Sequence, residues 1–403
     1  MIDYLRMNEH ITNYSLKDYG DDEPEGVINL DCSLGVNPVP PANSVFSRLQ
    51  NFSSYSEIKS YPHDDSIKDA LCKWFGKNGL SRLKRENFIL GNGSYDILCH
   101  LNLLCLTNGK RVLGHAPQFT AYVDHVFCIG AQYDAYYLKK ETNFLFDVSE
   151  YINHMGIQHD LFIVENPNNP TGQTLLLSEI ELIAKKAFNQ KTILIVDEAY
   201  GDYMPFSNSA VNLIFNYPNV IVTRTFSKGF GLAGIRFGYA VSAATSQGRN
   251  STEENYNILN QLKKSLHPFN CNGIARFLAL ATLDAVMDDI PYDPFRLQVI
   301  KEEKLKVLAA FSRLNKAFGR TLKVAQTFDF TPIMSLYYDD ADENFDLQKH
   351  FMKFGILTVS CANYMGLDRR MVRMMLPQPC FIPLLLELLE KAISALPARD
   401  TGL

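Results

Sequence analysis

The chain has 403 residues, 46% hydrophobic and 12% aromatic, enough apolar material for a large core and more than one compact domain ordinarily uses. Its 39 basic and 44 acidic residues leave a formal net charge of -5 and are interleaved, which argues against the basic footprint of a nucleic-acid binder and against a charged tail. No apolar run approaches the roughly 20 residues of a bilayer-spanning helix, and Met1–Arg6 lacks the order of a secretion signal, so a cytoplasmic protein with no membrane partner is expected.

Residues 1 to about 45 are rich in Asn, Asp, Gly and Pro, ending in Asn37-Pro38-Val39-Pro40-Pro41, and read as an arm rather than a domain. An amphipathic helix near 66–78 (Ile67, Leu71, Phe75) precedes the apolar run Phe88-Ile89-Leu90 and a helical pattern from Ser94 to Leu106. Strand-length runs follow at 160–164, 192–196 and 219–223, separated by helical stretches such as 178–190. Strands apolar on both faces that alternate with helices predict a mostly parallel sheet between helical layers, an α/β domain over 46–290. Ligands then belong at the carboxyl ends of the strands. After about residue 290 come a long charged helix (about 293–317), mixed strands around 322–338 and 356–360, Met371–Leu376, and a helix near 382–396, which predict a smaller α+β domain over 291–403. The eight cysteines, at 32, 72, 99, 105, 128, 271, 361 and 380, include no Cys-x-x-Cys pair, so reduced, mostly buried thiols and no metal site are expected.

The segment Thr225-Phe226-Ser227-Lys228-Gly229-Phe230-Gly231-Leu232-Ala233-Gly234-Ile235-Arg236 follows an apolar strand and carries a lysine, two hydroxyls and an arginine. A phosphate-bearing aldehyde cofactor needs that set: an amine to condense with the aldehyde, hydroxyls and a guanidinium for the phosphate, glycines for close backbone approach. A surface lysine in a flexible loop is the plainer alternative. Gly229-x-Gly231-x-x-Gly234 also has the form of a dinucleotide fingerprint, but no acidic residue closes a strand about 20 positions on, and Ala243–Glu254 is polar and loop-like.

Two further segments stand at strand ends. One is Asn166-Pro167-Asn168-Asn169-Pro170-Thr171-Gly172, a rigid turn projecting Asn169; the other is Asp197-Glu198-Ala199-Tyr200. An aspartate directly after four apolar residues is costly to bury without a cationic partner, which a protonated pyridinium nitrogen would supply. Taken singly, Asp197 reads equally as a helix cap and Asn169 as a turn residue.

Together the three segments, in this order and spacing, resemble the fold-type I enzymes that use pyridoxal 5′-phosphate (PLP), in particular class I/II aminotransferases, over about residues 28–395. The resemblance implies a homodimer with shared active sites, an amino-acid substrate and a keto-acid cosubstrate. It implies Lys228 as Schiff-base lysine and as the base that deprotonates the substrate Cα between external aldimine and quinonoid. Asp197 would pair with the ring nitrogen, and Asn169 and Tyr200 would bond the phenolic oxygen. Thr225, Ser227, Arg236 and the turn Gly93-Ser94-Tyr95 would hold the phosphate, Phe119 would stack on the ring, and Tyr61 would reach the neighbouring subunit's cofactor. Arg373 would clamp a substrate carboxylate, and Asn37 of the arm would face the substrate.

Within that family the chain is similar to histidinol-phosphate aminotransferase and threonine-phosphate decarboxylase; Leu30–Pro38 and Ser360–Leu367 look more like the decarboxylase. Glu9–Tyr14 stands where the decarboxylases carry His-Gly-Gly, and Gly93-Ser94-Tyr95 replaces Gly-Glu-Thr. Transamination is the leading expectation. Decarboxylation and other PLP outcomes such as cyclisation or oxidation share the same motifs and stay open.

Overall fold

Runs that are apolar on both faces demand cover on both faces, and the computed structural model provides it. It describes residues 8–15, 26–39, 47, 50, 59–107, 109–243, 257–288 and 294–398. In chain order the strands are β1 (Leu30–Asp31), β2 (Phe88–Gly91), β3 (Arg111–Ala116), β4 (Gln132–Tyr137), β5 (Leu161–Glu165), β6 (Ile193–Asp197), β7 (Val220–Thr225), β8 (Gly238–Ser242), β9 (Lys323–Val324), β10 (Ile333–Tyr337), β11 (Ile356–Leu357), β12 (Val359–Ser360) and β13 (Met371–Met375). A seven-stranded sheet has the order β2-β8-β7-β6-β5-β3-β4. Neighbours are parallel except where β8 runs antiparallel to both β2 and β7. This is the fold expected for a type I PLP enzyme.

Alternate residues of β5 enter two different cores. Phe162 and Val164 join Trp74 and Phe75 on one face, while Leu161 and Ile163 join Ile97 and Leu101 on the other. Short α1 (Glu9–Thr12) precedes α2 (Asp65–Lys77), which supplies Ile67, Ala70, Leu71, Trp74 and Phe75, the spacing of one helical stripe. The opposite layer includes α3 (Ser94–Cys105). Strands β3, β4 and β8 do not stand out in the sequence pattern: Gly114 and His115 interrupt β3, Gln132 and Asp134 interrupt β4, and β8 opens on Gly238 directly after a glycine-rich turn.

The second sheet is antiparallel, in the order β12-β13-β10-β9. Its apolar core includes Phe311 and Leu314 of the helix Pro294–Phe318 and Leu385 and Leu389 of the helix Ile382–Ser394. The arm is built into this layer, since β1 pairs in parallel with β11 and Leu30 and Cys32 enter the same core. The expected domain limits at 45/46 and 290/291, and residues 244–254 of the expected polar loop, lie outside the described residues. All eight cysteines are free; Cys32, Cys105, Cys271 and Cys361 are buried and Cys380 is exposed. Among the described residues, no helix is long and apolar enough to cross a membrane, and no cluster of ligands suits a metal.

Candidate active site

Parallel strands deliver their carboxyl ends to one edge of a sheet, and here those ends carry polar groups in succession. Asp197 closes β6, Glu165 closes β5 opposite it in register, and Thr225 closes β7. A cavity at that edge is lined by Ser94, Tyr95, Phe119, Asn169, Asp197, Tyr200, Thr225, Ser227, Lys228 and Arg236 among others, which unites ten of the residues singled out from sequence.

At one end of the cavity, Gly93 precedes α3 with φ +88°, a conformation that favours glycine. The first N–H groups of α3 lack intrahelical partners and carry the positive end of the helix dipole. Across from them Thr225 Oγ1 stands 2.9 Å from Ser227 Oγ, and Arg236 Nη1 donates to Ser227 Oγ at 3.2 Å. Two hydroxyls, a guanidinium and a helix start make an anion cradle.

At the other end Asp197 is buried. One carboxylate oxygen accepts from Thr223 Oγ1 at 2.8 Å and from the Ala199 N–H at 3.2 Å. Burial pushes its pKa up to about 6, against the pull of those donors and of Lys228. Lys228 Nζ lies 5.3 Å from the centre of the Tyr200 ring and makes no hydrogen bond or ion pair among the described residues. A buried carboxylate short of a cation, an unengaged amine and an anion cradle in one cavity fit a phosphorylated, cationic-ring aldehyde.

Residues 27–325 match the sequence model of the family described as Aminotransferase class I and II. The chain belongs to that family. A class I and II aminotransferase is a PLP-dependent enzyme, and PLP is the cofactor the donor set above suits. Histidinol-phosphate aminotransferase of Thermoanaerobacter sp. (strain X514) is 29% identical over 335 residues, covering 82% of this chain and 84% of the relative. The crystal structure of the histidinol-phosphate aminotransferase from Clostridium acetobutylicum superposes with a TM-score of 0.74 at 24% identity, over 91% of this chain and 100% of that one. L-threonine-O-3-phosphate decarboxylase from Porphyromonas gingivalis gives 0.69 at 18% identity over 90% and 98%, a likeness of fold.

The glycine pattern 229–234 of this aminotransferase is no nucleotide turn. The chain leaves β7, passes a short turn at Ala233–Ile235 and returns as antiparallel β8, with no helix after the glycines.

Four predicted site residues lie outside the cavity lining; one is Gly93, which precedes its first lining residue, Ser94. Tyr61 is 73% exposed and stacks on Phe269 at 4.6 Å. Arg373 is buried beside the lining: Nη1 donates to Asn169 Oδ1 at 3.1 Å and Nη2 to the Ser33 carbonyl at 2.7 Å. Asn37 spends its side chain on the backbone, donating to the Gly229 carbonyl at 2.6 Å and accepting from the Val39 N–H at 2.9 Å, so it ties the arm to the lysine loop.

Sequence reasoning missed Gly35, Tyr364, Gly238 and Glu165. A β-carbon on Gly35 would stand 2.6 Å from Tyr200 Oη and 2.9 Å from Lys228 Nζ, so the arm crosses directly over the amine. Tyr364 Oη donates to Asn169 Oδ1 at 3.2 Å. A β-carbon on Gly238 would meet the Ser94 nitrogen at 2.5 Å, so β8 packs against the cradle only as glycine. Glu165, a carboxylate ending an otherwise apolar strand, carried the same signal as Asp197.

Proposed function

We propose that the enzyme moves an amino group from an L-amino acid to a keto acid, with Lys228 as the group that takes and returns the proton at the substrate's Cα. The observation that carries this reading is the amine of Lys228, which makes no hydrogen bond or ion pair among the described residues, in the same cavity as the buried Asp197. Bound PLP supplies the electron-poor ring that accepts the electron pair released at Cα. Asp197 would hold a proton on the ring nitrogen. Asn169 and Tyr200 would hold the phenolic oxygen, Phe119 would cover a ring face, and Ser94, Tyr95, Thr225, Ser227 and Arg236, with Gly93 making room, would hold the phosphate. Arg373, aligned by Asn169 and the Ser33 carbonyl, would grip a substrate carboxylate in a two-pronged bond.

The exposed Tyr61 supports a homodimer in which this tyrosine serves the second copy's phosphate; sedimentation of the loaded protein and loss of cofactor affinity on Tyr61→Ala test that. The units 1–45, 46–290 and 291–403 would then act as arm, cofactor-binding domain and closing domain, in the cytoplasm. Since curated relatives carry the name histidinol-phosphate aminotransferase, histidinol phosphate, whose phosphate ester would take the place of the carboxylate at Arg373, is the first donor to try beside the amino acids. The loaded enzyme is given that donor and a panel of amino acids while cofactor absorbance, carbonyl product and carbon dioxide are followed. Conversion of the cofactor to its amino form with release of the carbonyl product is the expected result. Carbon dioxide without keto acid would replace transamination by decarboxylation.

A further inference from the structure

A second buried carboxylate stands in the cofactor cavity. Glu165 lines the cavity and is register partner of Asp197 on the neighbouring strand. Its Oε1 accepts the Phe119 N–H at 2.7 Å, and its Oε2 accepts the Asn169 N–H at 3.1 Å and the Asn168 side-chain amide at 3.0 Å. The Glu165 main chain joins the same junction: its N–H donates to His115 Nε2 at 3.2 Å, while His115 Nδ1 meets the Pro117 carbonyl at 2.9 Å. Burial pushes the His115 pKa down to about 4, so the ring is neutral, with the proton on Nδ1 and Nε2 free to accept. Asn168 closes the ring of contacts by donating to the Pro117 carbonyl at 3.1 Å. One side chain thus bolts the 115–119 loop, which carries Phe119, to the 166–172 turn, which carries Asn169.

We infer that Glu165 is a positioning residue for the cofactor: through its two oxygens it sets the ring-covering Phe119 and the oxygen-binding Asn169 together. The inference rests on the roles proposed above for those two residues. Ion pairing does not explain Glu165, because no cation faces either oxygen among its hydrogen-bond partners; burial and the nearby Asp197 push its pKa well above the usual carboxylate range, against three N–H donors.

The two oxygens have separable tasks, and that gives the test. In Glu165→Gln one oxygen remains. Two donors, from Asn168 and Asn169, compete for it with one from Phe119, so the amide oxygen turns to the Asn169 side and Phe119 loses its anchor. In Glu165→Ala both anchors go. Neither variant carries a charge at 165, so the difference between them reports the position of Asn169 and not the field of the carboxylate.

The experiment compares PLP-loaded wild type, E165Q and E165A by the pH midpoint of the bound cofactor's visible absorbance and by its circular dichroism, which reports how the ring is held. Relative to E165Q, E165A should show a midpoint higher by about one pH unit, the size of one lost hydrogen bond to the phenolic oxygen. Both variants should lose most of the dichroism. Equal midpoints in the two variants, or wild-type dichroism in E165Q, would overturn the inference. Should E165A fail to fold, E165Q decides alone by its dichroism: a diminished signal upholds the proposal, and the wild-type signal rejects it. A wild-type protein that took up no PLP would instead sink the cofactor roles on which the proposal rests.

Discussion

Gly93 and Arg236 share one volume: a β-carbon on the glycine would lie 2.6 Å from Nη2 of the guanidinium. The arginine is in the left-handed region, with φ +53°, its guanidinium also donating to the Ala233 carbonyl at 3.0 Å, so two unusual backbone sites meet at the anion cradle. Gly93→Ala therefore strains one backbone and displaces the other residue's cation. A strained alanine costs about 1–2 kcal/mol of stability, while displacing the guanidinium removes a charged hydrogen bond of about 1.5–3 kcal/mol to the phosphate, which predicts PLP affinity weaker by roughly tenfold or more. Titration of the cofactor-free variant by absorbance measures it; an unchanged affinity would remove Arg236 from the phosphate site.

Lys228→Ala tests the amine directly. The variant should bind PLP without the wild-type visible absorbance, yield no modified peptide after borohydride reduction, and lose at least about a hundredfold in turnover, the lower range for a lost acid–base group. Retention of both the absorbance and the turnover would refute the assignment.

Asp197→Asn should make the cofactor-free protein more stable, with a pH dependence of definite sign. The carboxyl holds its proton up to about 6 in the fold but only to 3.8 when unperturbed. That stabilising protonation is fully present below 3.8 and is lost as pH rises through about 6. Asparagine keeps the hydrogen-bond acceptor without the charge, so its advantage grows from little near pH 4 to at most about 3 kcal/mol above pH 7. Thermal denaturation of both cofactor-free proteins at pH 5 and pH 8 checks it: the gain must be larger at pH 8.

Arg373→Lys keeps the charge and loses the fork. The enzyme should bind PLP normally, while kcat/KM for a carboxylate-bearing substrate falls by roughly 10–100-fold, the size of one charged hydrogen bond. An effect confined to PLP binding would place the arginine elsewhere in the mechanism.

Arg224, Glu198 and Asp202 form a buried ionic cluster beneath the site. Arg224 Nη2 meets Glu198 Oε2 at 2.7 Å and Nη1 meets Asp202 Oδ1 at 3.3 Å, with Glu198 also accepting from Ser209 and Ala210. Arg224→Met strands two carboxylates and should cost about 3–5 kcal/mol by chemical denaturation. Arg224→Met with Glu198→Gln should cost less than the single change, and the reverse order would deny the coupling.

The cofactor end of this site was readable because its chemistry forces rare combinations into short segments: Lys228 among hydroxyls and glycines, Asp197 straight after four apolar residues, Asn169 in a proline-locked turn. The sheet was readable where strands were apolar on both faces, as in β2, β5, β6 and β7, and not where polar residues broke the run, as in β4, or where the strand opened on glycine, as in β8. Arg373 is placed by contacts to Ser33 and Asn169, and Gly35 by its crossing over Lys228. Those are distant pairings that no local pattern encodes. Asn37 shows the converse: the arm does reach the site, but the residue over the amine is the glycine two positions earlier.

Ser33 and Arg373 are 340 positions apart along the chain, yet one donates to the other across 2.7 Å, and β1 completes its pairing only with β11. Contacts so distant in sequence pay a large loop-closure entropy before they return anything. A ribosome has to deliver nearly the whole polypeptide before the arm can dock, so the roof over Lys228 is assembled late.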